Sequence, residues 1–249
     1  IQFYGDLQAP GMRIYFVNSA GTVFDAGSTV NVGQLVTSSL DIANEDFIAG
    51  INDFAFPGVG GITNHGDITA SDGVALLGQK VLNTGTVMAG DGGFVVMAAG
   101  DRVLLAERGR NIVIEMSSVS IQDNGDVINT GQISSAVVTI VLASGSLFAM
   151  AADLDSAPAK IKTGTGSVLQ SGTISAGGGD ITLTAADGVT LADGSLTSAN
   201  GGDIIAFSGG MTDFQAGAKV EAKGGFVEIS GEHFIFAGDL DLSAENGQA

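Results

Sequence analysis

One phrase recurs along this chain at intervals of about twenty residues or about twice that: glycine, any residue, an apolar residue, any residue, a small residue. It reads Gly66-Asp-Ile68-Thr-Ala70, Gly85-Thr-Val87-Met-Ala89, Gly131-Gln-Ile133-Ser-Ser135, Gly172-Thr-Ile174-Ser-Ala176 and Gly194-Ser-Leu196-Thr-Ser198. Gly238-Asp-Leu240-Asp-Leu242 is a looser copy, and Gly217-Ala-Lys-Val220-Glu-Ala222 carries one inserted residue. A second set of columns follows Gly73, Gly93, Gly179, Gly202 and Gly225, spaced 20, 86, 23 and 23 residues apart. The second residue after each is Ala75, Val95, Ile181, Ile204 or Val227, and the fourth is Leu77, Met97, Leu183, Ala206 or Ile229. The long interval has room for about four periods.

Alternation with a period of two marks a strand with one buried face. The same register in segment after segment stacks those strands one above another. Short strands, tight glycine turns and no helical pattern between them describe an all-β parallel β-helix in one domain, residues 1–249. An antiparallel sandwich explains short strands but not the recurrent columns.

Composition narrows the partners. With 9 Lys+Arg against 27 Asp+Glu the net charge is −18, which excludes nucleic acid, since phosphate binding needs clustered cations. A hydrophobic content of 45% is ample for a core. There is no cysteine, so no disulfide holds the fold. The opening residues lack the basic and apolar regions of a signal peptide. Val127–Ala152 is uncharged and long enough to span a membrane, but its polar interruptions and β-branched centre predict two buried strands and no membrane-spanning segment.

Residues 4–50 carry a family likeness. The runs are Tyr4-Gly5-Asp6-Leu7-Gln8-Ala9, Ile14 to Phe24, Val30 to Ile42, and Asn44-Glu45-Asp46-Phe47-Ile48-Ala49-Gly50. Val74-Ala75-Leu76-Leu77-Gly78, Ala98 to Val103 and Gly224 to Gly231 add to it. Together they resemble the haemagglutination-activity domain (filamentous haemagglutinin-like) of two-partner-secretion exoproteins. The resemblance implies a right-handed parallel β-helix, export through an outer-membrane barrel transporter, and a secreted or cell-surface location in a bacterium with an outer membrane. It also implies adhesion or another surface activity. Asn18-Ser19-Ala20-Gly21 stands where the family has its Asn-Pro-Asn-Gly turn, so Asn18, Ser19, Ala20 and Gly21 are candidates for transporter recognition. An ordinary tight turn explains the same residue types. Both ends look cut, or completed by another molecule.

Enzyme chemistry finds little purchase. His65 and His233 are the only histidines and lie far apart in the repeat. Gly177-Gly178-Gly179-Asp180 and Asn200-Gly201-Gly202-Asp203 hint at calcium loops but lack the full nonapeptide, so no metal or cofactor is expected. Arg102, Arg108 and Arg110 beside Glu107 and Glu115 read as local ion pairing, and no nucleophile elbow or phosphate loop occurs. An adhesin-like exoprotein is the first reading, a structural subunit of an extracellular fibre or sheath the second, and a polysaccharide-acting enzyme the third. Val74, Leu76, Phe94 and Val96 stand at the positions expected to face outward, and all are apolar. A strand apolar on both faces is covered on both. These four therefore mark a contact surface, for the segment 47–56 folded back or for a neighbouring copy associating end to end or laterally.

Overall fold

The computed structural model describes residues 1–55, 59–108, 111–117, 125–136, 139–145, 147–151 and 165–243. A sheet of 21 strands, parallel throughout, winds into a β-helix with three faces. The fourth coil shows the plan: Val81–Asn83 on the first face, Thr86–Ala89 on the second, Phe94–Ala99 on the third. Successive strands of a face pair in register. One column on the first face runs Phe3, Phe24, Asn64, Asn83, Asn129, Gln170, Leu191, Phe214, Phe236, one residue per coil.

The second face follows the glycine phrase. Ile68, Val87, Ile133 and Ile174 lie in one paired column and are buried, while Asp67, Thr69 and Met88 between them are exposed. Each buried aliphatic side chain contributes roughly 1.5–3 kcal/mol of transfer free energy. Coil seven departs from the expected register. Thr197 and Ala199 point inward and Leu196 outward, because Leu196 pairs with Thr173 and Thr197 with Ile174. Gly194 has φ +77° and belongs to a longer turn closed by Ser195 N–H on the Ala192 carbonyl. It is therefore not the counterpart of Gly172, and the strand behind it starts one residue later.

On the third face the expected inward columns hold for Val95, Ile181, Ile204 and Val227, and for Met97, Leu183, Ala206 and Ile229. Coil three is corrected. Val74 and Leu76 pair with Val95 and Met97 and face the interior, while Ala75 and Leu77 face outward. The cause is turn length: Ala70 to Val74 is a direct passage, whereas Ala89 to Val95 takes a longer turn closed by Gly93 N–H on the Gly90 carbonyl. Gly73 accordingly lies opposite Phe94, not Gly93. A Cβ there would stand 2.6 Å from the Phe94 ring, so the missing side chain leaves room for the aromatic.

The 86-residue interval holds two coil steps, not four. Val95 pairs with Ile140 and Ile140 with Ile181, steps of 45 and 41 residues, because the chain leaves the stack between them. It leaves after Ser38, after Ala99 and after Ser144, each time at the corner from third face to first. The excursions form a separate antiparallel sheet in the order Leu147–Ala151, Asn111–Ser117, Arg102–Arg108, Asn52–Ala55, Asp41–Ile42. A six-residue helix, Asn44–Ala49, precedes Asn52–Ala55 and ends at Gly50 in the left-handed conformation. The uncharged stretch expected to give two strands gives four: Val127–Asn129, Gln132–Ser135 and Ile140–Ser144 in the stack, and Leu147–Ala151 in the added sheet. Among the described residues no helix is long and apolar enough to cross a membrane.

Candidate functional site

Asn18–Gly21 is a tight turn at the corner where the excursions also depart. Gly21 N–H donates to the Asn18 carbonyl at 2.7 Å, and Ala20 N–H donates to Asn18 Oδ1 at 3.0 Å. Gly21 has φ +88°, and a Cβ on it would lie 2.2 Å from the Gly61 carbonyl oxygen. Glycine is thus required twice, by conformation and by the neighbouring coil. Gly60 N–H donates to the Ser19 carbonyl and Asn18 N–H to the Ser38 carbonyl, so the turn is pinned to the next coil. Ser19 and Ala20 remain exposed.

The four residues expected to form a contact surface divide. Val74 and Leu76 belong to the interior of the helix. Phe94 and Val96 lie in a second apolar layer between the third face and the added sheet, together with Val36, Ala75, Leu77, Val141, Phe54, Val103 and Leu105. Phe94 is 5% exposed and Phe54 fully buried. Of the segment 47–56, Phe54 reaches this layer. Phe47 stacks edge-on against Tyr15 and is half exposed, while Phe56 lies outside the described residues. The Tyr15 hydroxyl donates to Asn52 Oδ1 at 3.0 Å, fastening the excursion to coil one.

The remaining chemistry-bearing residues take structural places. His65 Nδ1 lies 2.6 Å from Thr84 Oγ1, and His233 is exposed six coils away. Asp180 Oδ1 accepts the Asp203 N–H at 2.8 Å, and Asp203 Oδ1 accepts the Phe226 N–H at 2.7 Å. The two Gly-Gly-Asp sequences therefore cap backbone groups of the following coil. Arg102 pairs with Asp53, its Nε 2.9 Å from Oδ1, which ties the hairpin to the strand Asn52–Ala55. The side chains of Glu107, Arg108, Arg110 and Glu115 lie outside the described residues. Among the described residues no group of three or more potential metal ligands comes together.

The polar feature that sequence reasoning missed is internal. Asn64 Nδ2 donates to Asn83 Oδ1, Asn83 Nδ2 to Asn129 Oδ1, and Asn129 Nδ2 to Gln170 Oε1, each at 2.8 Å. All four side chains are fully buried. Each amide also reaches the carbonyl two residues ahead, at Gly66, Gly85, Gly131 or Gly172. Gln170 Nε2 finishes the ladder on the Leu196 carbonyl at 3.1 Å. Phenylalanines occupy the same column at both ends of the helix, as Phe3 and Phe24 and as Phe214 and Phe236.

Comparison with known proteins follows the same lines. No family model matches the chain. The crystal structure of the HMW1 secretion domain from Haemophilus influenzae superposes with a TM-score of 0.53 at 19% identity, covering 94% of this chain and 77% of that one. The two share the β-helical fold. In sequence the chain is 28% identical over 144 residues to a heme/hemopexin-binding protein of Haemophilus influenzae, which covers 53% of this chain and only 16% of that protein. The structural match shows the β-helical fold, and the chain spans about one sixth of the length of the heme/hemopexin-binding protein that it matches in sequence. Neither is named as an enzyme.

Proposed function

We propose that this chain is the part of a two-partner-secretion exoprotein that its outer-membrane barrel transporter recognises, and that the whole protein is adhesive at the cell surface. The observation that carries the reading is the congruence of the family-like residues 4–50 with one structural unit. They build coils one and two, the pinned turn Asn18–Gly21, and the helical excursion after Ser38. Ser19 and Ala20, exposed on a turn held by backbone bonds, are suited to contact by a partner. The test is co-expression with the cognate transporter in a host with an outer membrane, measuring the chain in the medium. Export that is equal without the transporter would remove the reading. Ser19→Trp with Ala20→Trp should cut export at least tenfold without altering the circular dichroism; unchanged export would remove the turn from recognition.

A second reading, a subunit of an extracellular fibre, rests on coil nine. Phe234, Phe236, Leu240 and Leu242 on that coil, with Phe226 on coil eight beside it, are each about 40–60% exposed among the described residues. These exposed apolar side chains suit association with a second copy. Filaments in electron micrographs of the purified chain would support it, and a monomer at high concentration would exclude it.

A further inference from the structure

Three consecutive coils carry the same nine-residue segment: Val81-Leu-Asn-Thr-Gly-Thr-Val-Met-Ala89, Val127-Ile-Asn-Thr-Gly-Gln-Ile-Ser-Ser135 and Val168-Leu-Gln-Ser-Gly-Thr-Ile-Ser-Ala176. They pair in register, rung on rung, on the first and second faces. The inward positions repeat because the core and the amide ladder require it. Packing does not require the outward repeat, yet Leu82, Ile128 and Leu169 form an aliphatic row beside the hydroxyls of Thr84, Thr130 and Ser171. In a chain that is 14% charged, the three segments contain no charged residue at all.

Next to the hydroxyl row runs a groove of about 350 Å³, lined by Thr84, Thr86, Thr130, Gln132, Thr173 and the glycines of the corner, with the aliphatic row outside its lining. Its floor is bare for a structural reason, since a Cβ on Gly131 or Gly172 would come within 2.1 Å of the preceding glycine's carbonyl oxygen. Its walls are not so explained. The side chains of Thr86, Gln132 and Thr173 have no hydrogen-bond partner among the described residues.

We propose that this groove binds an uncharged oligosaccharide laid along the helix axis. Hydroxyl and amide side chains donate and accept, as sugar hydroxyls do. The aliphatic row, two residues before the hydroxyl row, flanks the groove and offers a surface for the C–H face of a sugar ring that overhangs it, and repetition at the coil spacing suits a ligand that repeats. An extended peptide is disfavoured because the rim backbone is already used: Thr86, Gln132 and Thr173 N–H each donate to the coil before at 2.9 Å. Charged polymers find no counter-ion on these rungs. No carboxylate lines the groove, so the assignment is binding and not cleavage.

The test applies the labelled chain to an array of neutral, sialylated and sulfated oligosaccharides together with neutral extended peptides. Binding to neutral glycans is expected, with affinity at least tenfold weaker in the variant T86A/Q132A/T173A at unchanged circular dichroism. Gln132→Glu, a single exposed change, should weaken binding similarly and serves if the triple variant misfolds. Absence of neutral-glycan binding, preference for anionic glycans or peptides, or full binding by Gln132→Glu would overturn the proposal. It is independent of the secretion reading, which an export assay tests by itself.

Discussion

Truncating Asn129 to alanine strikes the amide ladder at a rung with a neighbour on each side. Its Oδ1 accepts from Asn83 and its Nδ2 donates to Gln170, both at 2.8 Å and both fully buried. Asn83 Nδ2 keeps the Gly85 and Gln132 carbonyls, each at 3.3 Å. Gln170 Oε1 keeps no donor, and a buried acceptor left unpaired costs about 1–3 kcal/mol. The space vacated by the amide adds to this, bringing the expected loss to about 2–4 kcal/mol. In urea unfolding with a slope of about 3 kcal/mol/M, the midpoint falls by about 1 M. Asn129→Leu separates the two contributions, because it fills the space but still orphans Gln170. Leucine itself is acceptable in this column, as Leu191 shows. A loss of about 1–3 kcal/mol is therefore expected for Asn129→Leu, and a loss smaller than the sum of the singles for the double change with Gln170→Leu. If Asn129→Leu leaves the midpoint in place, the ladder does not stabilise the stack and the reasoning fails.

Phe54→Ala removes the largest buried side chain that the added sheet contributes to the outer layer among the described residues, so a loss of about 3–5 kcal/mol is expected. Limited proteolysis should then cut within residues 41–55 before the coils are attacked. Gly131→Ala should abolish the native circular dichroism, since its Cβ would meet the Gly85 carbonyl oxygen at 2.1 Å. Gly27→Ala, at φ +85° in open space, should cost only about 1 kcal/mol by thermal unfolding. Ile181→Asp places an unpaired charge on a fully buried rung, and purified protein should show exposed apolar surface by dye binding.

The repeat was legible because its physics is local. A strand buried on one side must alternate, and a stacked strand must alternate in the same register, so columns such as Ile133 over Val87 show in the sequence. Anchoring on glycine worked where glycine sits at the same corner, as at Gly85, Gly131 and Gly172. It failed where glycine serves another purpose, as at Gly73 beneath Phe94 and at Gly194 in a longer turn. The ladder follows the pattern Asn-x-Gly at residues 64–66, 83–85 and 129–131, with Gln170-x-Gly172 completing it, but a polar residue next to a turn carries no local sign of pointing inward. Only the stack shows that they turn inward together. The segment 47–56 was one of two expected covers for the third face, but the antiparallel sheet it joins was beyond reach: Phe54 meets Val103 by long-range pairing, and no local period announces such a partner.

The added sheet changes how the helix comes apart. In a plain solenoid each coil touches only its neighbours, and stability is a chain of nearest-neighbour couplings. Here the strand Asn52–Ala55, emerging after coil two, pairs with Arg102–Arg108 from after coil four. That hairpin is in turn bonded to Leu147–Ala151 from after coil five. Coils that never touch are thereby made to open together. Hydrogen exchange should find coils two to five protected as one cooperative block, while coils six to nine, which lack such a strap among the described residues, unzip from the far end one at a time.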